Sequence, residues 1–310
     1  MFEKSFAVSK GWLAFELNIL RRLKFKIAAL PTGGEKNLGA QLKRWNVRVL
    51  TNDFLQSEQW SAIAEIENND FTLDEKDISA ALENVYVPRH RLKNLSLRNW
   101  FGETEAGWFD NVRKNIEKLK SATTKAAALK IGMSVGDYVL SFTDETRKLR
   151  QPLSEIFRRL CSIEPKLFDN HQNNLCANKK LKDFIAENYA DLIFLRLPAP
   201  RRTTIKNALG AAAWREEWIR GADDFWRETE ALQSVGFGAR VETKTQYLQF
   251  VENVLQIASH IPQWAIAHVE DNFLTTQDVV ETINRVRRVE TIFTKDFSEL
   301  TGTKAVIITA

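Results

Sequence analysis

Apolar residues cluster early in the chain. Trp12, Leu13, Phe15, Leu17, Ile19 and Leu20 fall within 10–23 and predict a largely buried helix. The run Phe25-Lys-Ile-Ala-Ala-Leu30, cut off by Pro31-Thr32-Gly33-Gly34, predicts a buried strand. A helix over 38–45 and a second strand over 47–50, ending at Asn52-Asp53, follow. Strand, turn, helix and strand in this order open a parallel α/β sheet.

Between about 54 and 160 the strand signal vanishes. Helices are predicted over 57–68, 108–119, 125–142 and 152–160, and Thr72-Leu-Asp-Glu75 reads as a capping box ahead of Ile78, Ala81 and Leu82. Sheet patterning resumes afterwards. Strands are predicted over 191–197 and 264–268, with helices over 211–231, 246–260 and 276–286. Runs over 289–293 and 304–309 predict two closing strands paired at a sheet edge. The expected division is an α/β core of residues 1–54 and 160–310 with a helical insertion domain at 55–159.

Composition narrows this only a little. Hydrophobic residues make up 44% of the 310, enough for a sizeable core and against a disordered chain. The two cysteines, Cys161 and Cys176, lack CxxC spacing and a nearby His pair, which argues against a disulfide or zinc framework. No metal is expected. The first ten residues carry no apolar signal-peptide core and no stretch reaches the ~18 apolar residues of a membrane span, so a cytoplasmic protein without membrane contact is expected. The net charge of +4 permits nucleic-acid binding without requiring it. Its distribution is more telling. Arg89-His-Arg91-Leu-Lys93, followed by Arg98-Asn-Trp100, gathers cations and an aromatic in one stretch, either a phosphate-binding segment or a solvated linker. Arg147, Lys148, Arg150, Arg158 and Arg159 add to that basic side. Trp214, Trp218 and Phe225 share roughly one helical face, as core or as a partner surface, and His260 and His268 read as structural histidines with satisfied nitrogens.

The colinear order of several short segments resembles the Dam-like DNA adenine methyltransferases over nearly the whole chain. Phe6-Ala-Val-Ser-Lys10 is similar to the family's opening Tyr-x-Gly-x-Lys element, and Pro31-Thr-Gly33-Gly34-Glu-Lys36 to its Pro-Phe-x-Gly-x-Gly cofactor loop. Asn52-Asp53 matches the acidic end of the second strand, and Trp100 to Leu119 resembles the helical insertion of one branch. Asp191-Leu-Ile-Phe-Leu-Arg196-Leu197-Pro198-Ala199-Pro200 matches the strand that ends in Asp-Pro-Pro-Tyr. The resemblance implies a Rossmann-like methyltransferase sheet, a bound S-adenosylmethionine and DNA contacts from the insertion.

The departures fall on the chemistry. In the family, the motif Asp and a Pro carbonyl accept hydrogen bonds from the amine of a flipped adenine, and the Tyr stacks on its ring. Here Arg196 stands for the Asp, Leu197 and Pro198 for the Pro pair, and Ala199 for the Tyr. Arginine has donors only, and its charge opposes a cationic transition state. Lys36 aligns with the loop's second glycine, so no cofactor is expected, although Lys10, Gly33, Gly34 and Asp53 are the positions that would hold S-adenosylmethionine. Asp53 would meet a ribose diol or simply cap the next helix.

The expectation is a catalytically inactive homologue that binds DNA through Arg89, Arg91, Lys93, Arg98 and Trp100. Arg196, Arg201 and Arg202 would convert the former catalytic mouth into a phosphate-binding cleft. Its protein partner would be an active methyltransferase or a nuclease of a restriction-modification or phage-defence system. A divergent active methyltransferase and an interaction scaffold without DNA contact are the rivals.

Overall fold

The computed structural model describes residues 11–32, 36–234 and 239–310. Helix α1 (Trp12–Leu20) precedes β1 (Ile27–Leu30), α2 (Lys36–Arg44) and β2 (Arg48–Asn52). Helices α3 (Gln56–Ala62), α4 (Glu75–Ala81), α5 (Glu103–Ile116), α6 (Ala122–Leu140) and α7 (Leu153–Ile163) come next. Then follow β3 (Leu175–Ala177), α8 (Leu181–Glu187), β4 (Leu192–Arg196), α9 (Ile205–Leu209), α10 (Ala213–Arg220), α11 (Trp226–Leu232) and α12 (Lys244–Ile257). The chain closes with β5 (Gln263–Glu270), α13 (Thr276–Asn284), β6 (Thr291–Phe297), α14 (Ser298–Thr301) and β7 (Thr303–Thr309). No helix among the described residues is long and apolar enough to cross a membrane.

The seven strands lie in the order β3-β2-β1-β4-β5-β7-β6. The first five run parallel, β7 is antiparallel to β5, and β6 is antiparallel to β7. This is a mixed α/β protein with a mostly parallel, Rossmann-like sheet. The parallel strands β1, β2 and β4 are buried nearly end to end, as both-faced burial demands. Alternate β4 residues serve two layers. Ile193, Leu195 and Leu197 join Trp264, Ile266, Val251 and Ile283 in one core, while Phe194 and Arg196 point to the other face. At the lower end, the Asp191 carboxylate accepts from the Lys26 and Ile27 amides at 2.8 and 2.9 Å, pinning the entry of β1 beside β4.

Chain contacts separate two compact units. One comprises 1–54, 170–208 and 226–310, and the other 55–169 and 209–225. The helical unit therefore extends to 169 and takes α10 from the second half of the chain, which the sequence pattern grouped with the sheet. The reason is packing. Trp214 and Trp218 are fully buried against Phe101, Phe109 and α6. They sit over Gly132 and Gly136, which leave a groove on α6 just wide enough for the two rings. The single helix predicted over 211–231 is in fact broken at Gly221, whose φ of +79° ends α10 in a left-handed cap. The capping box also sits two residues later than the pattern indicated: Asp74 caps α4, with Asp77 reaching back to the Asp74 amide.

Candidate functional site

In an open α/β sheet, ligands bind beyond the carboxyl ends of the strands where the strand order reverses. Here that point lies between β1 and β4. β4 delivers Arg196 there, and β1 delivers Pro31 and Thr32. The Arg196 guanidinium does not face an open cleft. Its Nε donates to Glu16 Oε1 at 3.0 Å, and its Nη2 donates to Oε1 and Oε2, both at 2.8 Å. Glu16 comes from α1 and is wholly buried, and Arg196 also lies 5.9 Å from the Trp12 and Phe194 ring centroids. Burial pushes the Glu16 carboxyl above its usual range, and Arg196 opposes that shift.

The sequence signal for Glu16 is a single acid in a mostly apolar helix, which needs a cation from elsewhere in the chain. The expected phosphate role of Arg196 is thus corrected, because its charge is already balanced inside the fold.

The neighbouring groups are similarly engaged. The Pro198 carbonyl accepts from the Tyr247 hydroxyl at 2.8 Å. Tyr247 is buried, which pushes its phenol upward and keeps it a neutral donor. Arg201 Nη1 donates to Glu230 Oε1 at 2.6 Å and to the Thr203 carbonyl at 2.5 Å, so Arg201 holds a turn. Of the three arginines assigned to this mouth, Arg202 alone has an exposed side chain. Arg196 and Arg201 are instead engaged in ion pairs with Glu16 and Glu230.

Asp53 closes β2 and is 8% exposed. Its amide donates to the Ala177 carbonyl, and its own carbonyl accepts from Asn178 Nδ2 at 2.7 Å. Beside it, Asn52 links the Pro31 and Lys179 carbonyls through its side-chain amide, tying β1, β2 and β3 together at their upper ends. Lys10, Gly33 and Gly34 lie outside the described residues.

His268 on β5 was expected to be a satisfied structural histidine. It is completely buried, yet neither ring nitrogen has a hydrogen-bond partner among the described residues. Burial lowers its pKa and keeps the ring neutral. His260 does fit the expectation, with its nitrogens 3.0 and 3.3 Å from the Ile257 and Asn188 carbonyls.

In the helical unit, the segment joining α4 to α5 carries the basic cluster. One buried carboxylate organises it. Asp110 of α5 accepts from His90 Nε2 at 2.8 Å, from the Lys93 amide at 2.8 Å and from the Asn94 amide at 3.1 Å. Asn94 in turn donates to the Glu217 carbonyl of α10 at 2.9 Å and caps the short turn at Leu95–Asn99. His90, Leu92 and Asn94 thus face inward, while Arg89, Arg91 and Lys93 alternate outward and are exposed.

None of these three cations has a carboxylate partner among the described residues. Arg89 is held at φ +56°, a left-handed conformation costly for a side chain of its size. Tyr86, Val87 and Leu95, exposed by 51%, 45% and 63%, border the same segment. The formal charge of this stretch, from Arg89, Arg91, Lys93 and Arg98 with no acid between 84 and 102, equals the +4 of the whole chain.

Two further residues assigned to this surface behave differently. Arg98 pairs with Glu103 at 2.9 Å, both side chains being exposed, so the pair is weak and open to exchange. The Trp100 indole donates to Glu217 Oε2 at 2.6 Å, and its half-buried ring packs against the core of the helical unit. Arg147 and Arg150 pair with Glu105, and Arg158 with Glu75, so these residues belong to local ion pairs. Among the described residues no group of His, Cys, Asp and Glu is placed to hold a metal ion.

Neither protein-family models nor curated proteins match the chain.

Proposed function

We propose that this protein is a nucleic-acid-binding member of the methyltransferase-like α/β proteins that no longer transfers a methyl group. The observation that carries binding is the Arg89, Arg91 and Lys93 row, exposed, uncompensated and fixed from below by Asp110. Cations held on a preformed loop neutralise phosphates with little ordering cost. The methyltransferase part rests on the resemblance of the sequence. The strand order supports it, being that of the dinucleotide-binding sheet through β5 and then closing with a reversed β7 inserted before β6. The loss of catalysis is supported by Arg196, bound to Glu16 where the reaction needs an acceptor, and by Pro198, whose carbonyl is taken by Tyr247. Such a protein serves as the DNA-binding or regulatory subunit of an active methyltransferase or nuclease.

The test is fluorescence anisotropy with a duplex oligonucleotide across a salt series, alongside titration with S-adenosylmethionine and a methylation assay. Replacing Arg89, Arg91 and Lys93 by Ala should reduce the salt slope by about 2.7, at roughly 0.9 per lost phosphate contact. Failure of the wild type to bind at low salt, or indifference to the triple change, would overturn the binding reading. Cofactor binding with methyl transfer would overturn the inactive one.

A further inference from the structure

A second surface lies in the sheet unit and is independent of the nucleic-acid reading. Among the described residues β6 is the outermost strand and pairs with β7 alone. Its seven residues leave a long row of backbone donors and acceptors at the sheet edge, the feature that invites another extended chain. Beside this edge runs a groove of about 410 Å³ between α1 and β6. Its lining is mostly polar, with Asn18, Thr294 and the cations Arg22 and Lys295 beside Phe15 and Phe293.

Both cations are exposed, and each lies against a ring. Arg22 is 5.4 Å from the Phe293 centroid, and Lys295 is 5.5 Å from that of Phe297. Among the described residues no Asp or Glu lines the groove, and neither cation has a carboxylate partner.

We infer that the β6 edge and its groove dock an extended acidic peptide segment, which adds to the sheet as an eighth strand. Side chains of an added strand alternate between faces, so every second one would enter the groove. An apolar side chain fits over Phe15 and Phe293, and carboxylates on either side meet Arg22 and Lys295. The like-charged rim disfavours a second copy of this chain, since edge-to-edge pairing would set cations against cations.

The experiment uses the full chain and two fluorescein-labelled peptides, one alternating Glu and Val and the other alternating Lys and Val. Polarisation should show the Glu peptide binding about tenfold or more tighter, with the preference reversed by the double charge swap Arg22→Glu and Lys295→Glu. Methylating every backbone nitrogen of the Glu peptide should abolish binding, because strand addition depends on main-chain hydrogen bonds. Binding that survives N-methylation, a preference unmoved by the charge swap, or no binding of either peptide would overturn the inference. A wild-type dimer in sedimentation that excludes the Glu peptide from the edge would assign that edge to a second copy and also overturn it. None of these outcomes bears on Arg89, Arg91 or Lys93, so this surface and the nucleic-acid loop stand or fall separately.

Discussion

Trp214 occupies the space that a side chain at position 136 would need. A methyl group added to Gly136 would land within the Trp214 ring, far inside van der Waals contact, and one added to Gly132 would meet Trp218 in the same way. Two effects oppose each other in Gly136→Ala. Helix propensity favours Ala by about 1 kcal/mol, and overpacking costs about 3 kcal/mol where a rigid indole cannot retreat. The net expectation is a loss of about 2 kcal/mol, read as a lower urea midpoint. An unchanged or raised midpoint would show that the helical core is looser than its geometry implies.

Arg196 and Glu16 give a second prediction. Arg196→Met should destabilise by about 3–5 kcal/mol, because it strands a buried carboxylate. The double change Glu16→Leu with Arg196→Met should recover most of that loss, since an apolar pair of similar volume avoids the desolvation of both ions. Denaturation of the four proteins in a double-mutant cycle measures the coupling. Arg196→Asp should set a second carboxylate against Glu16 and unfold the unit.

Asp110 allows the loop's role to be read through a sign. Removing a negative charge beside three cations should strengthen anion binding if charge alone matters. If Asp110 acts by fixing the loop, Asp110→Ala should instead weaken duplex binding and cost about 1–3 kcal/mol of stability through unsatisfied amides. Anisotropy and thermal denaturation of the same variant separate the two. Tighter binding would refute the anchoring role.

His268 predicts a pH dependence. Burial holds its folded pKa below the ordinary 6.5, so the unfolded chain binds the extra proton first as pH falls. Its contribution is therefore fully present above about 6.5 and declines as the solution is acidified below that value. Tm should drop over this window in the wild type and drop less in His268→Leu. Equal slopes would place the acid sensitivity elsewhere.

Cys161 should be inert. Burial raises its thiol to about 12, so little thiolate exists at neutral pH. Intact protein should resist iodoacetamide at pH 7.5 and react after denaturation. Rapid labelling of the folded chain would contradict the placement of α7.

The sheet was readable because buried parallel strands leave short, continuous apolar runs, as at β1 and β4. β3 was not, since three residues ending in Cys176 and Ala177 carry no period, and the asparagines that fix them act through the backbone. The pattern placed the start of α5 at Trp108 because its first turn, capped by the Glu105 carboxylate, buries only Ala106 and Gly107. The cationic row Arg89, Arg91 and Lys93 was visible as composition. Its anchor was not, because Asp110 lies 17 residues beyond Lys93. Ion-pair partners were hidden in general: Arg196 and Glu16 are 180 residues apart, and no local rule joins them.

The detour of α10 sets an order on synthesis. The helical unit spans two stretches of chain, and its core needs Trp214, Trp218 and Ile219 from the later one. Until about residue 225 has left the ribosome, the faces of Gly132 and Gly136 stay uncovered, and Gln56, Ser57, Trp100 and Asn94 wait for Glu216 and Glu217. At ~5–20 residues per second, the nascent unit spends several seconds incomplete, open to chaperones and proteases. A chain truncated before α10 would keep that vulnerability permanently.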